Sequence, residues 1–336
     1  MAALSSVEAG GANVASTKMR EMTIFALVPP ETSAPAVPAG SPAASPRVKP
    51  STFLKRLASW AALWIVALFS VYSGWQIFSF LLIAGFGLAG QWEFYLAQVE
   101  KGHKVFKGSG LFCGALIFLT SWYFLIQNPA QARLMPFGEE AVLVFAILGA
   151  FIRLVVQPRR GPAPITTAAL TILGLMYAPF LFNFVAALLF MPGDPGVNRF
   201  LLIYLLAVTK FSDVGAYVVG SLIGRHKMIP SVSPGKTWEG FAGAMIVSLL
   251  ISMAMVHWMG GAALSFASSV VLGLLLPLIS VLGDLAESII KRDASIKDSG
   301  RTIPGIGGAL DLIDSILFTA PVLYFYLQFT AAVHTP

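Results

Sequence analysis

From about residue 57 the chain resolves into apolar stretches of roughly 16–26 residues separated by short polar breaks, near the ~20 residues a helix needs to cross the hydrocarbon core of a bilayer. Nine such stretches are legible, at about 57–72, 75–92, 108–127, 139–157, 165–190, 199–222, 239–258, 264–283 and 310–331. The first two meet through Tyr72, Ser73 and Gly74, which predicts a tight helical hairpin. The pattern predicts an all-α polytopic membrane protein. Residues 1–50 differ: they are rich in Ala, Pro, Ser and Gly and contain neither a spanning run nor the apolar core of a secretory signal. They read as a disordered cytosolic tail. Glu8, Glu21 and Glu31 speak against a transit peptide, and initiation at Met19 or Met22 is an alternative reading of the same stretch.

Composition agrees with the pattern. The chain of 336 residues is 57% hydrophobic and 11% charged, whereas a soluble domain carries roughly 25% charge. A net charge of +6 would in isolation admit a nucleic-acid partner, but the positions of the charges exclude that reading. With the N-terminus in the cytosol, all of the 22 basic residues except Arg133, Arg199 and Lys210 fall in the tail or in cytosolic loops, as the positive-inside rule requires. Nine spans then leave the C-terminus outside. The expected organisation is a tail over 1–52, N-terminal transmembrane helices over 53–198 and a catalytic transmembrane region over 199–336. The single cysteine, Cys113, can form no internal disulfide, and the four histidines have no zinc-like spacing.

The acidic residues are unevenly placed. Asp213, Glu239, Asp284, Glu287, Asp293, Asp298, Asp311 and Asp314 all follow residue 210, several of them within apolar segments, where a charge needs a partner, a cavity or a substrate. At the end of the eighth stretch Asp284, Glu287, Ser288 and Lys291 are spaced i, i+3, i+4 and i+7, one helical face with Arg292 beside it. Lys297, Asp298 and Arg301 follow, then the small-residue turn Pro304 to Gly308, whose backbone N–H groups can approach an anion. The ninth helix starts there, and its N-terminal dipole also favours an anion. Asp311 and Asp314 share a face on its first turns. Two carboxylates repel a bare phosphate, so they call for a divalent cation, with Mg²⁺ the oxygen-loving choice. Basic residues, a glycine turn and paired aspartates together point to phosphoryl or nucleotidyl transfer. A second block, Phe211 to Gly240, places Lys210 and Asp213 at i and i+3 inside a span, as a structural ion pair or a catalytic one. Gly215, Gly220 and Gly224 favour close helix packing, and the loop to Lys236 and Thr237 lacks P-loop spacing. Lys101, Lys104 and Lys107 read as topological charges, Trp92-Glu93-Phe94-Tyr95 as an interfacial anchor, and His226 as a solvated loop residue.

At these residues the chain resembles the phosphatidate cytidylyltransferase, or CDP-diacylglycerol synthase, family. Ser288 to Ser315, SIIKRDASIKDSGRTIPGIGGALDLIDS, follows the pattern SxxKRxxxxKDxGxxxPGHGGxxDRxD, and Ser212 to Gly240 follows SDxGAYxxG with SPxKTWEG. The resemblance runs from about residue 200 to 330. Ile306 stands where the pattern has His, and Leu312 where it has Arg. The resemblance implies that CTP and phosphatidic acid react at a bilayer to give CDP-diacylglycerol and pyrophosphate. It also implies Mg²⁺, roles for Asp284, Asp311 and Asp314 as metal ligands, and catalytic roles for Asp311, Asp314, Lys291 and Arg292. Lys291, Arg292, Lys297 and Lys236 are expected at the phosphates and Ser288 as a hydrogen-bond donor. Asp298, Gly307 and Gly308 are expected in the substrate site, and Asp213 as a further ligand or organiser. The lipid phosphate is already anionic, so catalysis is positioning and charge neutralisation. A bacterial inner membrane with the site facing the cytoplasm is the expected location. A homodimer and a monovalent cation beside Mg²⁺ are both compatible with the sequence. Two other readings stay open: a CTP-dependent cytidylyltransferase or kinase for another lipid, and a transporter using Lys210 and Asp213 as an ion path.

Overall fold

Nine helices and one short β-hairpin make up the computed structural model over its described residues, 62–156, 164–259, 263–294 and 307–334. The tail expected over 1–52, with Lys297, Asp298, Arg301 and Ile306, lies outside them. The helices are α1 (Ala62–Tyr72), α2 (Gln76–Glu100), α3 (Lys107–Gln127), α4 (Met135–Val156), α5 (Pro164–Phe190), α6 (Pro195–Ile223), α7 (Trp238–Met259), α8 (Phe266–Asp293) and α9 (Ala309–His334). Each coincides with one of the nine apolar stretches. Seven of them (α2, α3 and α5 to α9) are long and apolar enough to cross a membrane, so the chain is a multi-pass membrane protein. Helix α1 has a shorter described length, and α4 carries Glu139, Glu140 and Arg153. Large apolar side chains such as Val155, Leu222 and Trp258 are about four-fifths exposed, a surface that suits lipid rather than water.

Local chemistry sets the breaks. The α1–α2 turn is as tight as expected: Gly74 takes φ +74°, and Ser79 Oγ donates to Ser70 O at 2.5 Å. Pro179 removes one backbone donor from the middle of α5, and the helix passes it through a π turn over Met176–Phe180. Two helices run on past their apolar stretches. The expected span 75–92 continues to Glu100, which carries Glu93, Phe94 and Tyr95 into the protein interior at 1%, 1% and 0% exposure. These three are therefore not an interfacial anchor. Helix α8 continues to Asp293 and keeps Asp284, Glu287, Ser288 and Lys291 on it, as their spacing predicts.

The all-α expectation needs one correction. Between α6 and α7 the strands β1 (Lys227–Ile229) and β2 (Ser233–Thr237) pair antiparallel, with Lys227 opposite Thr237 and Ile229 opposite Ser233. Pro230 sits in the connection, and Val232 N donates to Ile229 O at 3.2 Å to close it. The carboxylate of Glu239 gathers Arg225 N and His226 N at 3.2 Å and His226 Nδ1 at 2.6 Å, which pins the base of the hairpin.

The core lies among α5, α6, α8 and α9, where Leu188, Leu205, Leu272, Leu276, Leu317 and Leu323 are fully buried. Small residues bring these helices together. A Cβ on Gly215 of α6 would stand 2.8 Å from Gly243 O of α7, and one on Gly220 would stand 3.4 Å from Gly240 Cα. The expected packing role of these α6 glycines is met by glycines of α7. Between α8 and α9 the approach is as close: a Cβ on Gly283 would stand 2.7 Å from Asp314 O. Polar contacts gather several helix ends at one end of the bundle. Lys101, just after α2, pairs with Asp293 at the end of α8, and Arg292 Nε donates to Val232 O of the hairpin at 3.3 Å.

The Gly283 contact makes a substitution there costly. Gly283→Val is expected to destabilise the protein by about 1–3 kcal/mol, the usual cost of overpacking. Gly85→Val, at a glycine with open space around it, is the control and should leave stability unchanged. Thermal unfolding in detergent measures both.

Candidate active site

Four elements deliver charged side chains to one region: α6, the hairpin, α8 and α9. Each contributes at least one lysine or aspartate. Lys291 Nζ of α8 lies between Glu287 Oε2 and Asp311 Oδ1, at 2.5 Å from each. Glu287 and Lys291 are one turn apart, and the Glu287 side chain is only 3% exposed. The second oxygen of Asp311 accepts Gly308 N at 2.8 Å. Gly307 beside it has φ +134°, and a Cβ there would stand 2.7 Å from Asp311 Oδ2. A side chain at 307 would therefore collide with the carboxylate as well as strain the backbone.

Lys236 of β2 reaches across to α8, with Nζ 3.3 Å from both Asp284 Oδ2 and Val281 O. Lys210 of α6 points to α9, donating to Leu312 O at 3.1 Å and Ser315 Oγ at 3.0 Å. Its own neighbour Asp213 lies 3.8 Å away, and Asp213 Oδ1 accepts Ser280 Oγ at 3.3 Å. Asp314, 9% exposed, accepts the amide of Ser315 at 2.6 Å. The charge of Asp284 reaches both Asp213 and Asp314, and that of Lys210 reaches both as well. The lysines and carboxylates thus form one continuous electrostatic group.

The expected residues Asp213, Lys236, Asp284, Lys291, Asp311 and Asp314 are brought together, and Ser288 stands half-buried on the same helix. Arg292 is not among them: its guanidinium turns outward to the hairpin carbonyl. Among the described residues, the backbone donors at the α9 N-terminus, where an anion was expected, are already engaged. Gly308 N is taken by Asp311, while Ala309 N and Leu310 N donate to the two oxygens of Glu93 at 2.9 and 2.8 Å. Three contributors escaped the sequence reading of the site: Glu93, Ser280 and Ser315. Glu287 was placed on the charged face of α8 but given no role, and the structure makes it the i−4 partner of Lys291; Ser280 was legible as the i−4 neighbour of Asp284. Nothing local in the sequence marks Glu93 or Ser315.

The three carboxylates expected as metal ligands are divided between partners. Asp311 faces Lys291, whereas Asp314 and Asp284 sense each other. Among the described residues no three His, Cys, Asp or Glu side chains are gathered to hold an ion. Mg²⁺ does not need such a cage, because it binds through one or two carboxylates with waters and substrate phosphates. The hard oxygens of Asp284 and Asp314 fit that role.

Next to this group lies an apolar cavity of about 420 Å³ between α1, α2, α5, α6 and α9. Leu63, Phe86, Phe182, Leu206 and Ile316 line it, and Lys210 is on its wall. Leu312 also faces it, so the position that departs from the resembled motif contributes apolar surface here. One ammonium therefore borders both the apolar cavity and the carboxylate group.

Comparison with known proteins bears on the same elements. The sequence matches the Cytidylyltransferase family over residues 54–330. A phosphatidate cytidylyltransferase of Haemophilus influenzae is 40% identical over 137 residues, which are 40% of this chain and 48% of that protein. Over 129 residues the chain is 40% identical to YnbB, an uncharacterized protein of Escherichia coli, covering 38% of this chain and 43% of that one. A phosphatidate cytidylyltransferase of Mycobacterium bovis is 35% identical over 178 residues, 52% of this chain and 56% of that protein. The chain spans about half the length of these relatives.

The geometry of Lys291 sets an energetic expectation. Lys291→Met should destabilise the protein by about 3–5 kcal/mol, because it leaves Glu287 buried without its cation. Adding Glu287→Gln should recover part of that loss, so the two effects are not additive. Unfolding of the single and double variants measures the coupling; strict additivity would contradict it.

Proposed function

The chain belongs to the cytidylyltransferase family, and from that premise we propose that it is a phosphatidate cytidylyltransferase, making CDP-diacylglycerol and pyrophosphate from CTP and phosphatidate. The observation that carries the reading is Lys210, an ammonium bordering both an apolar cavity and a group of carboxylates and lysines. A lipid phosphate needs that junction: apolar space for its chain and a cationic rim for its head. A phosphate oxygen of the lipid attacks the α-phosphorus of CTP. The bond from that phosphorus to the bridging oxygen breaks, and pyrophosphate leaves with the electron pair. No strong base is required, since the nucleophile is anionic before it arrives.

The residues divide the work. Lys210 holds the lipid phosphate at the cavity mouth. Lys236 and Lys291 exchange their carboxylate partners for the phosphates of CTP, assisted by Ser288 and, from outside the described residues, Lys297. Asp284 and Asp314 hold Mg²⁺, which when bound neutralises the charge of the triphosphate. Asp213 orients Lys210 and Ser280. Asp311 keeps Lys291 at the site until nucleotide arrives. Once the substrates are bound, charge positioned in this way stabilises a phosphoryl transition state without further reorganisation at the moment of reaction.

The loop charges support an orientation. An N-terminus in the cytosol and a C-terminus outside put all basic residues except Arg133, Arg199 and Lys210 on the cytosolic side. The Lys101–Asp293 and Arg292–Val232 contacts bring three of those polar segments to the same end of the bundle. CTP would then meet the lipid at the cytosolic face of the bacterial inner membrane.

The test is product analysis with purified protein, Mg²⁺, CTP and phosphatidate. CDP-diacylglycerol and pyrophosphate should form in equal amounts, and Asp314→Ala should abolish both while the protein still inserts. Release of CDP would identify a kinase, and turnover only with a different lipid phosphate would replace the substrate. Leu206→Trp, which fills the cavity, should raise KM for long-chain phosphatidate by about tenfold, the equivalent of two buried methylenes. A short-chain analogue should be affected less.

A further inference from the structure

Glu93 is a charged residue in the middle of the hydrophobic N-terminal half, and its carboxylate is the cap of a helix 216 residues away. It is 1% exposed. Its two oxygens act separately, Oε1 accepting Ala309 N at 2.9 Å and Oε2 accepting Leu310 N at 2.8 Å. These are the first two backbone donors of α9. A helix usually finds such an acceptor in its own N-cap side chain. Here the residue before Ala309 is Gly308, which has no side chain to offer, so the cap is supplied by α2. The carboxylate gains from two charge-assisted hydrogen bonds and from the positive end of the helix dipole.

The turn that Glu93 holds is the turn that carries the site. Asp311 follows Leu310 directly and meets Lys291 at 2.5 Å, and Asp314 lies one turn further on. Shape reinforces the charge. Gly90, one turn before Glu93 on α2, packs against α9 so closely that a Cβ there would stand 3.1 Å from Ile313 Cδ1. Beyond the end of α2, Lys101 pairs with Asp293 of α8. One helix of the N-terminal half is thus tied by carboxylate, glycine contact and ammonium to both helices that bear the site's aspartates.

We propose that Glu93 is a positioning residue: it fixes the height and rotation of the first turn of α9, so that Asp311 meets Lys291 and Asp314 faces Asp284. By filling the anion-attracting end of α9, it also directs the triphosphate to Lys236 and Lys291. The inference rests on the cytidylyltransferase reading for its catalytic consequence, but not for its structural one.

The experiment uses the full chain in detergent with three variants. Glu93→Gln keeps the shape and removes the charge. Glu93→Asp keeps the charge and shortens the reach. Ala309→Pro deletes one donor from the other side of the contact, at a helix position where proline is tolerated. Turnover of CTP with phosphatidate is measured per folded molecule, and Mn²⁺ binding is followed by electron paramagnetic resonance as a readout independent of lipid and activity. Glu93→Gln and Ala309→Pro should each lower kcat and weaken Mn²⁺ binding by about tenfold, the loss of one charge-assisted hydrogen bond. KM for CTP should move less, and Glu93→Asp should recover part of both losses. Wild-type kcat and Mn²⁺ affinity in folded Glu93→Gln would overturn the proposal, as would a purely thermal effect. If the wild-type protein fails to use phosphatidate, the functional reading falls and the Mn²⁺ titrations alone decide the role of Glu93.

Discussion

A charge inside an apolar helix bundle must be met by an opposite charge or a hydrogen bond, and this requirement shapes the C-terminal half of the protein. Lys291 is held between Glu287 and Asp311, Lys236 beside Asp284, and Lys210 against Asp213, Ser315 and the carbonyl of Leu312. Every one of these contacts except those within a single helix joins two elements. The pairs therefore do two things at once. They fix how α6, the hairpin, α8 and α9 sit against one another, and they keep cations and carboxylates at the site in the absence of substrate. A polyanionic nucleotide with a divalent cation has the charges needed to take over both sets of partners. On the proposed reading, stability and substrate recognition draw on the same side chains, so substitutions at the site are expected to change both.

The N-terminal half takes part in this arrangement. Helix α2 closes the start of α9 with Glu93 and follows the end of α8 with Lys101. Together with α1 and α5 it also walls the apolar cavity that ends at Lys210. The recognisable motifs all lie after residue 200, yet much of the wall of the apolar cavity and the cap of the aspartate-bearing helix come from before it. A boundary at residue 198 separates motif-rich from motif-poor sequence, while residues on both sides of it build the cavity and the start of α9.

Much of the architecture was legible because the bilayer imposes its own thickness on the sequence. Among the described residues nine helices stand where nine apolar stretches were expected, and the glycines of α6 became a close crossing with α7. Asp284, Glu287, Ser288 and Lys291 lie on one helix because their spacing matches its turn. What stayed hidden depends on distance along the chain. Glu93 sits in Trp-Glu-Phe-Tyr, a local pattern that suits a membrane interface, and only the fold brings Ala309 and Leu310 to it. Arg292 has the same local sequence context as Lys291 but lies 100° further round the helix, which turns it to the hairpin. The hairpin is too short and too polar to announce itself by alternation. Spacing placed Asp311 and Asp314 on one face and suggested a shared cation, whereas packing gave them different neighbours.

The central claim is that the charged end of the bundle is a nucleotide site open to the cytosol. The most direct measurement introduces a thiol on the exposed middle of β2, beside Lys236, by Gly235→Cys, in a chain whose native thiol is removed by Cys113→Ser. A membrane-impermeant maleimide is then applied to sealed vesicles of both orientations. Labelling should occur only in inside-out vesicles, and CTP with Mg²⁺ should slow it. Labelling from the outer face, or a rate indifferent to nucleotide, would contradict the account.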